Sequence, residues 1–478
     1  MTEKDNFGRA CIMLIITWIV CGALFFLPDR VSGYSIKKVD MLSEVRVKDA
    51  EEPVVELFKP ETQPVEQDDT VIMSLPGDDF DAELLQKRDS MYVSMIAGMG
   101  GDSANLRIRD FSAGHTGLAR FFAALNNIND LGRPVRIAFL GDSFIEGDIL
   151  VADFRSKMQS HFGGRGVGFV PVASHVEQYR PTIRQQSKGW ETHSILTSKK
   201  HRYVMSGLVF NAVSDEASLS FKNVDGYPGL KEVSSVKFIY SQSPQANIRL
   251  ICNDLNDTIT GVIEPTDRVG QFEATGMFTD GRISLTGAQG LQALGIALED
   301  NEGVVVDNFS LRGNSGTVMT GLDEASCREW ISVRPYDLII IQYGLNVARE
   351  DVNDYTWYRT SMVNAISHLQ ECFPKSDILL LGVSDRSYYH NGAYRTMPSV
   401  KSLLNAQYKT AEQMGLPFWS IFHAMGGEDS MVKFVKNRWA SKDYTHLSFR
   451  GGREIASALF DALILEKKMY DEVEGALY

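Results

Sequence analysis

From residue 135 onward the chain is organised by five apolar runs, at 135–140, 304–309, 337–343, 377–383 and 416–421. Runs of Val, Ile, Leu and Phe with few polar interruptions suit strands covered on both faces. Helical spacing separates most of them, plainly at 358–373 and 400–414, and a further helix is expected at 452–468. That alternation predicts βαβ units and a parallel sheet. Upstream, 80–97 and 117–128 also read as helices, the second with Phe121, Phe122 and Leu125 on one face.

Between 169 and 304 the period changes. Short alternating segments occur at 203–210, 217–221, 236–240, 248–252, 258–263, 271–278, 282–287 and 294–298. Gly, Asn and Asp cluster between them, as in Cys252-Asn253-Asp254 and Thr279-Asp280-Gly281. The pattern predicts an antiparallel sandwich inserted between the first two parallel strands, with elaborated loops as the alternative. Tyr203, Tyr227, Tyr240 and Phe272 fall in this insertion, as sugar-stacking residues or as core.

At the N-terminus, 10–27 is apolar apart from Thr17 and ends at Pro28. This is close to the roughly 20 residues that span a bilayer core. A cleaved signal peptide has a shorter apolar region, about 7–15 residues, and no clear small-x-small site follows Leu27. Residues 10–28 are therefore expected to be an uncleaved transmembrane anchor, with the large C-terminal part on the translocated, periplasmic or extracellular side. Residues 29–79 are acidic and punctuated by proline, as in Lys59-Pro60-Glu61-Thr62-Gln63-Pro64, and read as a spacer. The folded part divides into a hydrolase-like domain at 80–172 and 304–478 and an insertion at 173–303.

Composition excludes some partners. A net charge of −13 leaves no basic surface for nucleic acid. The five cysteines show no CxxC or Cys/His ligand spacing, so no metal site, cofactor or dense disulfide framework is expected.

The candidate chemistry sits where parallel strands end. Gly141-Asp142-Ser143 closes the first run, Gly344-Leu345-Asn346 follows the third, and Asp443-Tyr444-Thr445-His446 lies near the C-terminus. A serine hydroxyl needs a base to take its proton. His446 can serve, with Asp443 three residues away to fix its tautomer. Negative charge developing on an ester oxygen needs preorganised donors, which backbone N–H groups and a side-chain amide supply. The set points to acyl-transfer chemistry.

These residues resemble the SGNH (GDSL) hydrolase superfamily, in four blocks that follow its order. Gly141-Asp142-Ser143 is similar to the nucleophile block. Arg312-Gly313-Asn314-Ser315-Gly316-Thr317 is similar to the glycine block, with Gly316 the better alignment for the oxyanion glycine and Gly313 its rival. Gly344-Leu345-Asn346 and Asp443 to His446 match the remaining two blocks. The resemblance implies a flavodoxin-like three-layer α/β domain with Ser143 as nucleophile, His446 as base and Asp443 as its orienter. It places the backbone N–H of Ser143, Gly316 and Asn346 in the oxyanion hole. The stretch from Val135 through Asp148, with Phe162-Gly163-Gly164-Arg165-Gly166-Val167-Gly168-Phe169, resembles envelope members: peptidoglycan O-acetylesterases and membrane-anchored polysaccharide O-acetyltransferases. Some of those carry an inserted sandwich similar to a carbohydrate-binding module. The glycine-rich stretch is expected to be a turn shaping the pocket. The resemblance implies an acetylated glycan as substrate. It leaves three readings open: hydrolysis, acetyl transfer supplied by a membrane-bound O-acyltransferase, and an inactive glycan-binding scaffold.

Overall fold

The computed structural model describes residues 82–99, 106–253 and 257–477, together with a separate two-residue pairing of Arg30–Val31 with Tyr34–Ser35. The expected anchor at 10–28 and nearly all of the expected spacer at 29–79 lie outside these residues. Among the described residues no helix is long and apolar enough to cross a membrane.

The five continuous runs form one parallel sheet. Its strands are β1 (Val135–Gly141), β2 (Val304–Ser310), β3 (Leu338–Gln342), β4 (Asp377–Gly382) and β5 (Phe418–Ser420), in the spatial order β2-β1-β3-β4-β5. Every residue of β1, β3 and β4 is buried, which is why their sequences show no polar alternation. Helix Val151–Phe162 packs with the C-terminal helix Phe449–Leu477, and Thr356–Cys372 packs with Pro398–Met414. The C-terminal helix is longer at both ends than the spacing predicts.

The segment between β1 and β2 folds as two antiparallel sheets. One holds five strands, in the order Asp257–Ile263, Ala246–Cys252, Asp280–Thr286, Glu216–Asn223, Ile183–Lys188. The other runs Gly270–Phe278, Val233–Gln242, Gln292–Glu299, Leu208–Ala212, Trp190–Ser194, and takes in Gly168–Val170 beside Gln292–Glu299. Leu219, Leu250 and Ile283 from the first sheet share a buried core with Phe210, Phe238 and Ile296 from the second. Tyr227, Tyr240 and Phe272 pack against that core, and Tyr203 is buried against the parallel sheet's own core. These aromatics serve packing.

The opposite face of the second sheet contributes Ile239, Leu294 and Ala297 to the core of the parallel domain. A buried ionic cluster lies at the same joint. Arg334 donates to Asp307 on β2 (2.6 and 2.7 Å) and to Glu299 at the end of the insertion (2.7 Å). Arg136 on β1 and Lys237 in the insertion also donate to Glu299, at 2.9 and 3.0 Å, and the Tyr336 hydroxyl donates to Asp307. Burial alone would push the Glu299 carboxyl up, but the surrounding Arg334, Arg136 and Lys237 hold it well below the ordinary range.

The glycine-rich stretch does not shape a pocket. Gly163, Gly164, Gly166 and Gly168 all have positive φ, and the chain runs against backbone at 298–307. A Cβ at Gly166 would lie 2.1 Å from the Leu298 carbonyl, and one at Gly164 would lie 2.6 Å from Val304. Val304 is the amino end of β2, roughly 20 Å of strand away from the carboxyl ends where the chemistry sits. The glycines are there so that backbone can touch backbone.

Two expected outcomes follow from this packing. Replacing Arg334 by Met leaves two buried carboxylates short of a counter-charge and should cost about 3–5 kcal/mol in denaturant unfolding. Glu466, buried on the C-terminal helix, is pushed up to about 8 by burial and by neighbouring Asp110. Because its folded pKa is raised, its stabilising contribution is complete below pH 4.5 and is lost as pH rises through about 8. Glu466→Gln should therefore raise the thermal midpoint over wild type above pH 8, with the gain shrinking towards pH 4.5.

Candidate active site

Strand register gathers three of the four sequence blocks at one edge. Gly141 pairs with Ser310 on β2 and with Gln342 on β3, so the loops that follow all three strands leave the sheet side by side. Gly141 itself admits no side chain, since a Cβ would meet Ile145 at 2.6 Å and Gln342 Oε1 at 2.9 Å. The chain can then turn sharply enough to bring the Ser143 hydroxyl to the surface of the edge.

The fourth block closes over this edge from the C-terminal side. Ser143 Oγ lies 3.0 Å from His446 Nε2, and Asp443 Oδ2 lies 2.7 Å from His446 Nδ1. With the Nδ1 proton donated to Asp443, Nε2 is left to accept the serine proton. The other Asp443 oxygen accepts from the N–H groups of Thr445 (2.9 Å) and His446 (3.0 Å) and from Ser441 Oγ (2.7 Å). Burial pushes this carboxyl up, yet the hydrogen bonds from His446, Ser441 and Thr445 outweigh it and hold the group well below the ordinary range. Asp443 is thus ionised, and it fixes both the ring and the turn that carries it. The His446 side chain remains 36% exposed, so the edge is open to water.

The two candidate glycines have different surroundings. The N–H of Gly316 is already donated to Asn314 Oδ1 at 2.8 Å. Gly316 has φ +90 and its Cβ position faces the Tyr343 ring at 2.7 Å, so its glycine identity is explained by packing. Gly313 is the opposite case: φ is +78, and nothing lies within 4 Å of where a Cβ would be. Among the described residues, neither the Gly313 N–H nor the Ser143 N–H donates to a protein group. Asn346 is at the edge as expected, with its amide nitrogen donating to the Asn314 carbonyl (2.8 Å) and to Asp142 Oδ2 (3.2 Å).

Asp142 is the middle residue of Gly141-Asp142-Ser143, where the sequence gives it no role of its own. In the fold it is buried, accepts from the Phe144 N–H at 2.9 Å, and steadies Asn346. Burial pushes it up to about 7, against the lowering pull of that N–H and of His446. Asp148 is a second residue that the sequence left unused. It sits at φ +66 after Gly147 and accepts from Arg155 (3.2 Å), Arg180 (2.9 Å) and Asn308 (2.8 Å). These bonds pin the chain after Ser143 to β2 and to the start of the insertion. Among the described residues no group of three or more His, Cys, Asp or Glu is disposed to hold a metal ion.

No protein-family profile matches the sequence, and no curated protein does either. Solved structures do match in shape. The chain shares its fold with a solved peptidoglycan O-acetylesterase. That structure superposes with a TM-score of 0.61 at 20% identity, over 76% of this chain and 99% of its own. Family two carbohydrate esterases from Cellvibrio japonicus (TM-score 0.26, 12% identity, 63% of this chain and 98% of theirs) and Clostridium thermocellum (0.28, 11%, 60% and 99%) also match, at scores too low to bear on the argument.

The two glycines separate on mutation. Gly316→Ala should lower stability by about 2–5 kcal/mol, the left-handed backbone cost plus overpacking against Tyr343. Gly313→Ala carries only the left-handed backbone cost, about 1–2 kcal/mol. Denaturant titration of the two variants checks the order.

Proposed function

We propose that the chain is an SGNH-type serine esterase that removes O-acetyl groups from an envelope or extracellular glycan through an acetyl-enzyme. The observation that carries this reading is the unbroken contact chain Ser143 Oγ–His446 Nε2 (3.0 Å) and His446 Nδ1–Asp443 Oδ2 (2.7 Å) at an open sheet edge. The strand order β2-β1-β3-β4-β5, with every site loop at a carboxyl end, supports a flavodoxin-like domain at 80–172 and 304–478. The two antiparallel sheets with a shared core support a β-sandwich inserted at 173–303. The likeness in fold to a peptidoglycan O-acetylesterase motivates the acetylated glycan as substrate. The anchor at 10–28 and a periplasmic or extracellular catalytic part belong to the same reading, on the sequence alone.

In this reading the Ser143 oxygen attacks the acetyl carbonyl as its proton passes to His446 Nε2. The oxyanion is received by the N–H groups of Ser143 and Gly313, while Asn346, whose amide hydrogens go to the Asn314 carbonyl and to Asp142, ties the loops beside them. Gly313 takes the place of Gly316 because the Gly316 N–H is committed to Asn314. His446 then returns the proton to the sugar oxygen, which leaves as a hydroxyl, and the serine stays acetylated. Water gives a proton to His446 and attacks the acetyl carbonyl, releasing acetate and restoring Ser143. The half-exposed histidine gives water a route to that second step.

The test is acetate release by the full chain from an aryl acetate and from O-acetylated glycan. Ser143→Ala should lose at least about 10³-fold in kcat, and His446→Ala a comparable amount. Equal rates for wild type and Ser143→Ala would sink the proposal. Acetyl groups appearing on an acceptor sugar in place of free acetate would assign transfer, with a membrane-bound O-acyltransferase as partner.

A further inference from the structure

The insertion aromatics are taken up in packing, but exposed aromatic surface occurs elsewhere, beside the catalytic loop. Strands Ser387–His390 and Ala393–Thr396 form a hairpin that pairs Tyr389 with Tyr394. Its two-residue turn is Asn391-Gly392, both at positive φ, the conformation that suits right-twisted strands. Tyr389 is 65% exposed and Tyr394 39% exposed. Tyr394 lies face to face on Tyr444, with ring centroids 3.6 Å apart and planes within 8°, and Tyr389 meets Tyr394 edge-on at 5.3 Å. Tyr444 stands between Asp443 and His446. It is two residues from the histidine, at most about 7 Å along the backbone.

The hairpin is held firmly at its base. Ser387 N–H donates to the Tyr444 carbonyl at 3.1 Å. Thr396 donates through its hydroxyl to the buried Asp385 (2.8 Å) and through its N–H to Asp429 (2.8 Å). Asp385 also accepts from the Met431 N–H at 2.7 Å. Of its tyrosines the hairpin lends Tyr388 to the core and leaves Tyr389 and Tyr394 in water. Aromatic rings held flat and exposed, with a hydroxyl at the rim, suit a ligand that is apolar on its faces and polar round its edge. A pyranose ring has that form.

We infer that Tyr389, Tyr394 and Tyr444 form a subsite that stacks a pyranose ring of the glycan next to the acetylated unit at Ser143. The inference rests on the glycan-esterase reading and specifies where the chain lies across the site. Continuity with the Asp443–His446 loop ties the subsite to catalysis: the ring that receives the sugar stacks on the residue between acid and base. Tyr444 itself takes a left-handed backbone, φ +56, which a non-glycine residue holds only under constraint. The Tyr394 stack and the Ser387 hydrogen bond supply that constraint.

Isothermal titration of the full-chain Ser143→Ala protein with O-acetylated chitohexaose and O-acetylated xylohexaose tests it. At least one of the two should bind. Adding Tyr389→Ala should weaken that binding about three- to tenfold, and Tyr389→Phe should restore it. Tyr389 is exposed, so its truncation leaves the fold intact. Equal affinity with and without Tyr389→Ala would overturn the subsite, as would no binding of either oligosaccharide at millimolar concentration. Serine-dependent release from the aryl acetate, which carries no sugar, reads the esterase proposal separately. If that release is present while Tyr389→Ala binds unchanged, only the subsite falls.

Discussion

Arg334 is the tie on which the two halves of the chain depend. It is fully buried, and it bonds Asp307 on β2 and Glu299 on the last strand of the insertion at the same time. Removing such charges from water is costly, and only close pairing with several partners makes the arrangement stable. Arg136 and Lys237 complete the pairing, one from each side of the joint. The long excursion between β1 and β2 is therefore docked by directional bonds as well as by apolar contact. That matters for the site, because the excursion follows the segment that carries Ser143. Arg180 and Asn308 both close on Asp148, so the chain leaving Ser143 is clamped before it enters the insertion.

The parallel sheet was the most legible part of the sequence. Strands buried on both faces are predominantly apolar, and all five appear as apolar runs close to their true ends, the few polar members such as Arg136 and Asp307 being paired inside the fold. Ser143 and Asn346 stand out for a related reason, since each follows a run whose end is easy to see, whereas Asp443 and His446 stand out only by their Asp-x-x-His spacing. The antiparallel segments were legible as a class, though 203–206 reads as strand and is a buried loop before Leu208–Ala212. Strands Ile183–Lys188 and Trp190–Ser194 were missed, because Arg184, Gln186, Glu191 and His193 interrupt the apolar signal.

What stayed hidden depends on contacts between distant residues. Helix Val151–Phe162 carries Asp153, Arg155, Lys157 and Gln159, and its buried face is partly polar because Arg155 answers Asp148. No periodicity of apolar residues would reveal it. That the Gly316 N–H is taken up by the Asn314 side chain is likewise something that spacing does not encode. The glycine-rich stretch gave a strong signal that was assigned to the wrong end of the sheet. The tyrosine hairpin did leave a mark, in Asn391-Gly392 between two short runs, a recognised two-residue turn signal.

Asp443 accepts from the ring of His446 and from three further donors within the same short loop. One carboxylate thereby sets the electrostatics of the imidazole and the shape of the peptide that presents it. The interval of three residues between acid and base is for that reason a geometric constant of this loop. An added or deleted residue would misalign the imidazole and also strip two backbone amides of their acceptor. The length of the loop is thus fixed by one acceptor, independently of which side chains it carries.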